Sequence, residues 1–237
     1  MKQPNNISNT LDALKGTLEQ MARWGCRGFD CSEKALETLK HWDRPPAPPK
    51  PKAEGLGRIR DDLGQCHRCG LSATRTHIVF GEGDPIARLV FVGEGPGFEE
   101  DRSGRPFVGP AGQLLTKIIE AIKLSRDHVY ICNVIKCRPP GNRNPAIEEI
   151  AACRPFLERQ IAAVRPEAIC TLGTFAAQTL LNTQQPISKL RGRFHTYHGI
   201  RLMPTYHPAY LLRNPEQKRA VWEDMKKIAA LLRIPLS

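Results

Sequence analysis

The chain has 237 residues, of which 41% are hydrophobic and 25% charged, the proportions of a globular protein long enough for one α/β domain with an appendage. No run approaches membrane-spanning length and the opening MKQPNNISNT lacks the apolar core of a signal peptide, so a cytoplasmic protein with no membrane partner is expected. A formal net charge of +11 favours a polyanionic partner, and eight cysteines in a reducing compartment point to metal before disulfides.

LDALKGTLEQMARW (Leu11 to Trp24) has the apolar spacing of an amphipathic helix. DCSEKALETLKHW reads as a second helix, with Asp30 and Glu33 at capping-box spacing. Five prolines between Pro45 and Pro51 then form an extended, semi-rigid linker. The expected organisation is a helical extension over 1–43, a linker over 44–54 and the main domain over 55–237. Cys26 and Cys31 have no further ligand partners nearby and read as small-core thiols.

Beyond the linker, Leu89–Glu94, Val129–Lys136, Ala168–Gly173 and Leu202–Tyr206 read as parallel strands. Helical patterns run over Ala111–Ile122 and Ile147–Val164, from Thr174, and from Ala220 to near the C-terminus. This alternation predicts an α/β fold with a parallel sheet covered on both faces. HIVFGEG (His77 to Gly83) is a candidate edge strand, and GRFHTYHGIRL a candidate hairpin turning at Gly199.

Open α/β sheets bind ligands beyond the carboxyl ends of their strands. Glu94 ends the first strand, Asn133 interrupts the second, Gly173-Thr174 ends the third and His207 follows the fourth. Each alone has a bland explanation, such as an exposed acid or a core amide; together they outline one cleft. The loop GEGPGFEEDRSGRPFVGPAGQLL is not a dinucleotide site, because Phe98 stands where the last glycine belongs. Glu94, Glu99, Glu100 and Asp101 crowd the place of a phosphate. Glycines, acids and the ring of Phe107 suit a flat, neutral, hydrogen-bonding ligand such as a nucleobase.

Cys66 and Cys69 in CHRC are a chelating pair, joined in type by Cys137 after the second strand and Cys153 on a helix. Four thiolates suit zinc or an iron–sulfur cluster, and their spacing leaves the metal open. Cys132 and Cys170 lie inside strands and read as inert core thiols. From Lys189 to Arg219 the chain carries Lys189, Arg191, Arg193, Arg201, Arg213, Lys218 and Arg219 against Glu216 alone. Tyr197, Tyr206 and Tyr210 lie among them, a pattern that fits a nucleic-acid surface better than a merely solvated face.

Four ordered segments, GEGPGFEEDRSGRPFVGPAGQLL, NVIKCRPPGNRNP, CTLGTFAAQTLL and PTYHPAYLLRNP, resemble the motifs of family 4 uracil-DNA glycosylases, the iron–sulfur type. The resemblance begins near Gly55 and leaves out the helical extension. It implies a three-layer α/β/α fold with a four-stranded parallel sheet, and a structural [4Fe-4S] cluster on Cys66, Cys69, Cys137 and Cys153. It further implies that uracil is flipped out of single- or double-stranded DNA and its N-glycosidic bond hydrolysed. Glu94 and the Gly95 backbone would line the base pocket, Phe107 would stack on the base, and Asn133 would read its Watson–Crick edge. His207 would hydrogen-bond O2, and Glu100 would position water or reject thymine. Arg213 and neighbouring basic residues, Arg191 and Arg193 among them, would hold phosphates, while Tyr210, Leu211 and Leu212 wedge into the stack. A related cluster-containing group captures uracil-DNA through a histidine in an insertion that IKCRPPGNRNP lacks. Two rivals are a non-catalytic DNA-binding module, whose N-terminal helices dock a protein partner, and a glycosylase for another damaged base.

Overall fold

The computed structural model describes residues 14–16, 19–20, 23–24 and 54–236. Residues 14–16, 19–20 and 23 are helical, in keeping with the helix expected over Leu11–Trp24. The second expected helix, Cys26, Cys31 and nearly all of the linker lie outside the described residues. Two compact units, Met1–Lys50 and Pro51–Ser237, divide the chain, and the second carries the sheet.

That sheet has six strands: β1 (Glu82–Gly83), β2 (Leu89–Gly93), β3 (Tyr130–Asn133), β4 (Ala168–Leu172), β5 (His195–Tyr197) and β6 (Ile200–Thr205), in the order β1-β3-β2-β4-β6-β5. The four inner strands are parallel, as expected. The sheet as a whole is mixed rather than four-stranded and parallel, because β1 and β5 add antiparallel edges. Only Glu82–Gly83 of the candidate edge segment pairs. The expected hairpin is the β5–β6 connection, with His198 at φ 46° and Gly199 at φ 85°, the paired left-handed residues that match a two-residue turn to strand twist.

The inner strands are largely apolar because both faces are covered. Their side chains alternate between two cores. Val90, Val92 and Ile169 pack against α4 (Ile147–Val164) and α5 (Thr174–Leu181), through Leu157, Ile161 and Ala176. Leu89, Phe91 and Cys170 face Leu115 and Ile119 of α3 (Pro110–Ala121) and Met225 and Ile228 of α8 (Lys218–Leu231). The result is three layers. Shorter helices complete them: α1 (Leu56–Leu63), α2 (Phe98–Ser103), α6 (Ile187–Leu190) and α7 (Pro208–Arg213). From β2 the order runs one way to β3 and the other way to β4 and β6, so the chain reverses direction at the carboxyl end of β2. No helix among the described residues is long and apolar enough to cross a membrane.

Candidate active site

The carboxyl ends of β2, β3 and β6 open on a cleft of about 430 Å³. Its walls include Glu94, Gly95, Phe107, Asn133, His207 and Arg213, with Glu100 and Tyr210 beside them. Every residue expected around a base therefore converges on one place, although they come from four separate segments.

Asn133 closes β3 in register with Gly93 at the end of β2. It is 1% exposed, and its Oδ1 is buried without a hydrogen-bond partner. A buried acceptor left unpaired costs about 1–3 kcal/mol, so such an atom points to a donor supplied by a ligand. The Phe107 ring lies across Gly93. A Cβ at Gly93 would come within 3 Å of both that ring and the Asn133 amide, so glycine is what allows ring and amide to meet. Phe107 itself stands at φ 54°, a left-handed conformation unusual for a bulky side chain. Its ring centroid is 5.7 Å from that of His207.

His207 caps α7, and its Nδ1 accepts the Ala209 N–H at 3.1 Å. A neutral ring accepting at Nδ1 carries its proton on Nε2, which makes Nε2 a donor. Burial, and then the neighbouring Arg213 charge, push its pKa down to about 4. The ring is therefore neutral at physiological pH. Gly173, at φ 91°, leaves room for His207, whose Cβ would stand 3.0 Å from a Cβ added there.

Glu94 is half-buried, and burial pushes its pKa up to about 7. Glu100 is differently employed. Its Oε2 accepts the Gly97 N–H at 3.1 Å, and its Oε1 accepts those of Val108 and Gly109 at 2.8 and 2.9 Å. A carboxylate offers about four acceptor sites, so three are committed to shaping the loop and one remains.

Two expected DNA contacts need revision. Leu211 is 0% exposed, packed with Val221 and Met225 in the core, and cannot enter a base stack. Its neighbour Leu212 is exposed. Arg191 donates to Asp224 at 2.8 Å and to the Ala220 carbonyl at 2.6 Å, so its guanidinium anchors α8 and is not free for a phosphate. Arg193 is exposed but does not line the cleft. Arg213 is both exposed and on the cleft wall, and Tyr210, its ring tilted against Tyr206 with centroids 5.0 Å apart, stands beside it.

Other cleft residues escaped the sequence reading. Ile135, Asn142 and Arg143 come from the stretch that carries Asn133. Arg143 is held by Glu149 at 2.6 Å. Behind the cleft rather than in its wall, Lys136 is wholly buried, and its Nζ donates to the Asn133 carbonyl at 2.7 Å and to Gln160 Oε1 at 2.5 Å. A lysine closing a largely apolar expected strand was the visible signal.

Cys66 follows α1, Cys69 opens a 3-10 turn, Cys137 lies beyond β3 and Cys153 is on α4. Cys69 packs against the core that holds Cys137 and Cys153. Arg75 links Cys66 to this group, donating to the Cys66 carbonyl at 2.8 Å and to Cys137 Sγ at 3.5 Å. The Cys153 thiol lies within the electrostatic reach of both Cys66 and Cys69. Among the described residues no group of three or more His, Cys, Asp or Glu is drawn in as ligands of one ion. Four thiols brought into one neighbourhood from three segments, with an arginine N–H on one sulfur, are a donor set that would suit a multinuclear cluster, in which each thiolate binds a different iron. Cys132 and Cys170 are fully buried in strands, as expected of core thiols.

With an unpaired amide on its floor and a ring and a neutral histidine in its walls, this cleft at the sheet reversal has the chemistry to receive a flat, hydrogen-bonding ring. The family model of the Uracil DNA glycosylase superfamily matches residues 80–226, which span this whole cleft. Within it the chain belongs to the type-4 uracil-DNA glycosylases. It is 44% identical over 191 residues to the type-4 enzyme of Sulfurisphaera tokodaii, covering 77% of this chain and 87% of the relative. It is 45% identical over 179 residues to that of Thermotoga maritima, covering 74% and 93%. Similarity to a type-5 enzyme of Pyrobaculum aerophilum is lower, 34% over 54% of this chain and 64% of the relative.

Proposed function

We propose that this chain removes uracil from DNA by hydrolysing its N-glycosidic bond, leaving free uracil and an abasic site for base excision repair. The observation that carries the reading is the buried, unpartnered Oδ1 of Asn133 on the floor of a cleft shared with Phe107 and His207. Uracil offers N3–H to that oxygen and O4 to the amide N–H, while its face stacks on Phe107. His207 donates from Nε2 to O2. The C1′–N1 bond breaks with its electron pair leaving on the base, and water adds to C1′, releasing a proton that the remaining acceptor site of Glu100 can receive. Charge thus develops on the uracil, where a preorganised donor matters most. Glu94, holding its proton up to about pH 7, keeps a full negative charge away from the departing anion. A gel assay of alkali-cleaved oligonucleotides tests the reading: strand breaks should form at uracil and not at thymine. Breaks at hypoxanthine with uracil left intact would overturn it.

Extruding the base costs a few kcal/mol, which contacts with the DNA backbone offset. Arg213 supplies one such contact, with Tyr210 and the exposed Leu212 at the vacated stack. Arg213→Ala is expected to weaken binding to all DNA sequences alike and to reduce the slope of log K against log salt by about 1. Filter binding over a salt series reads this. An unchanged slope with altered base choice would place Arg213 against the base instead.

Cys66, Cys69, Cys137 and Cys153 would hold a [4Fe-4S] cluster, which would tie α1, the segment after β3 and α4 together and would take no part in the bond cleavage. The purified protein is expected to be brown, with iron and sulfide in near-equal amounts. Colourless protein carrying stoichiometric zinc would exclude the cluster. A DNA substrate fits a cytoplasmic site of action.

A further inference from the structure

Phe107 faces the base in a conformation that its own backbone resists. A bulky residue in the left-handed region persists only where its surroundings over-determine it. The surroundings here converge on Arg126, which lies in the turn Arg126–His128 just before β3. Arg126 Nη2 donates to the Pro106 carbonyl at 2.7 Å and Nη1 to the Phe107 carbonyl at 3.0 Å. One guanidinium thus fixes the peptide planes on both sides of Phe107. Arg126 is held in turn by Glu82 on the edge strand β1, which accepts from Nε at 3.2 Å and forms an ion pair with Nη2. Glu82 also accepts from Arg105 at 2.8 Å. Burial alone would raise the Glu82 carboxyl, yet Arg105 and Arg126 hold it below the usual range. Arg126 and Glu82 are mostly buried and neither lines the cleft.

The geometry points to Arg126, braced by Glu82, as the positioning residue that holds the Phe107 ring in the base pocket. The inference rests on Phe107 stacking on the base and deepens that reading. A planar fork reaches two carbonyls and a carboxylate along fixed, spread directions, a geometry that a compact ammonium does not reproduce.

Single-turnover excision should be measured for Arg126→Ala, Arg126→Lys, Glu82→Gln, Phe107→Ala and the Arg126→Ala/Phe107→Ala double variant. Inhibition by free uracil and binding to abasic-site DNA should be measured alongside. Arg126→Ala is expected to slow excision by about 10²-fold, the scale of a small misplacement in a site. It should weaken inhibition by free uracil about tenfold, the scale of one lost aromatic stack. Binding to abasic-site DNA should stay near wild type, an outcome that general destabilisation would not give. Arg126→Lys should rescue little. If Arg126→Ala does not fold, Glu82→Gln carries the test, with a smaller loss of the same pattern. In the Phe107→Ala background the arginine substitution should cost almost nothing more. Wild-type kinetics for Arg126→Ala, or its full penalty without the Phe107 ring, would overturn the inference. Wild-type excision by Phe107→Ala would instead defeat the stacking reading beneath it.

Discussion

His207→Ala should slow single-turnover uracil excision by about 10²- to 10³-fold, the cost of removing one donor to a developing oxyanion. Affinity for uracil-containing DNA should change little, because His207 acts on charge that forms only as the bond breaks. The Ala209 N–H occupies Nδ1, so the donor is Nε2–H of a neutral ring, and a pKa near 4 keeps the ring neutral across the working range. The pH dependence follows in sign. Below about 4 the ring gains a proton at Nδ1, which opposes the Ala209 N–H and disturbs the start of α7. An unfolded histidine takes up its proton near 6.5, whereas the folded one waits until about 4. The contribution of this group to stability is therefore full above 6.5 and declines as pH falls through that window. Glu94 sets the opposite limb. Its proton leaves near pH 7, so excision should fall as pH rises through that value, and Glu94→Gln should remove the fall. Rates of the wild type, His207→Ala and Glu94→Gln from pH 4 to 9 read both effects. Wild-type activity in His207→Ala would leave the histidine as a helix cap and nothing more.

Asn133→Asp should reduce uracil excision by about 10³-fold or more, since a site built around hydrogen bonds rejects a mismatched partner by large factors. The change preserves shape. It removes the amide donor to O4 while leaving an oxygen where the unpaired Oδ1 stands. An ionised aspartate repels O4. A protonated one accepts from the amino group of cytosine and donates to its N3, so weak cytosine excision, falling as pH rises, is the expected companion. Single-turnover rates on matched uracil and cytosine oligonucleotides measure both. Unchanged uracil excision would mean that Asn133 does not read the base.

How far the sequence carried this picture depended on the range of the interaction concerned. Helix α4 was legible to the residue, because eighteen positions of apolar periodicity leave little freedom. The inner strands were legible as apolar runs. The edge strands β1 and β5, two and three residues long, are below the length at which alternation speaks, and pairing with β3 and β6 defines them. The base pocket was visible because its polar residues interrupt apolar strands at their ends. Its support was not. Nothing local in the sequence says that Arg191 pairs with Asp224 while Arg213 stays free, since the partner is 33 positions away. Leu211 and Leu212 are adjacent, and only the way α7 packs against α3 and α8 decides which is core. The left-handed turn at Phe107, and Arg126 bonded to its carbonyl from nineteen positions away, likewise belong to tertiary structure.

The most direct test is a crystal structure of this protein with free uracil. Uracil should lie on the face of Phe107, with N3 about 3 Å from Asn133 Oδ1 and O2 within hydrogen-bond distance of His207 Nε2. Uracil bound outside this cleft, or bound within it with its N3–H turned away from Asn133, would contradict the account.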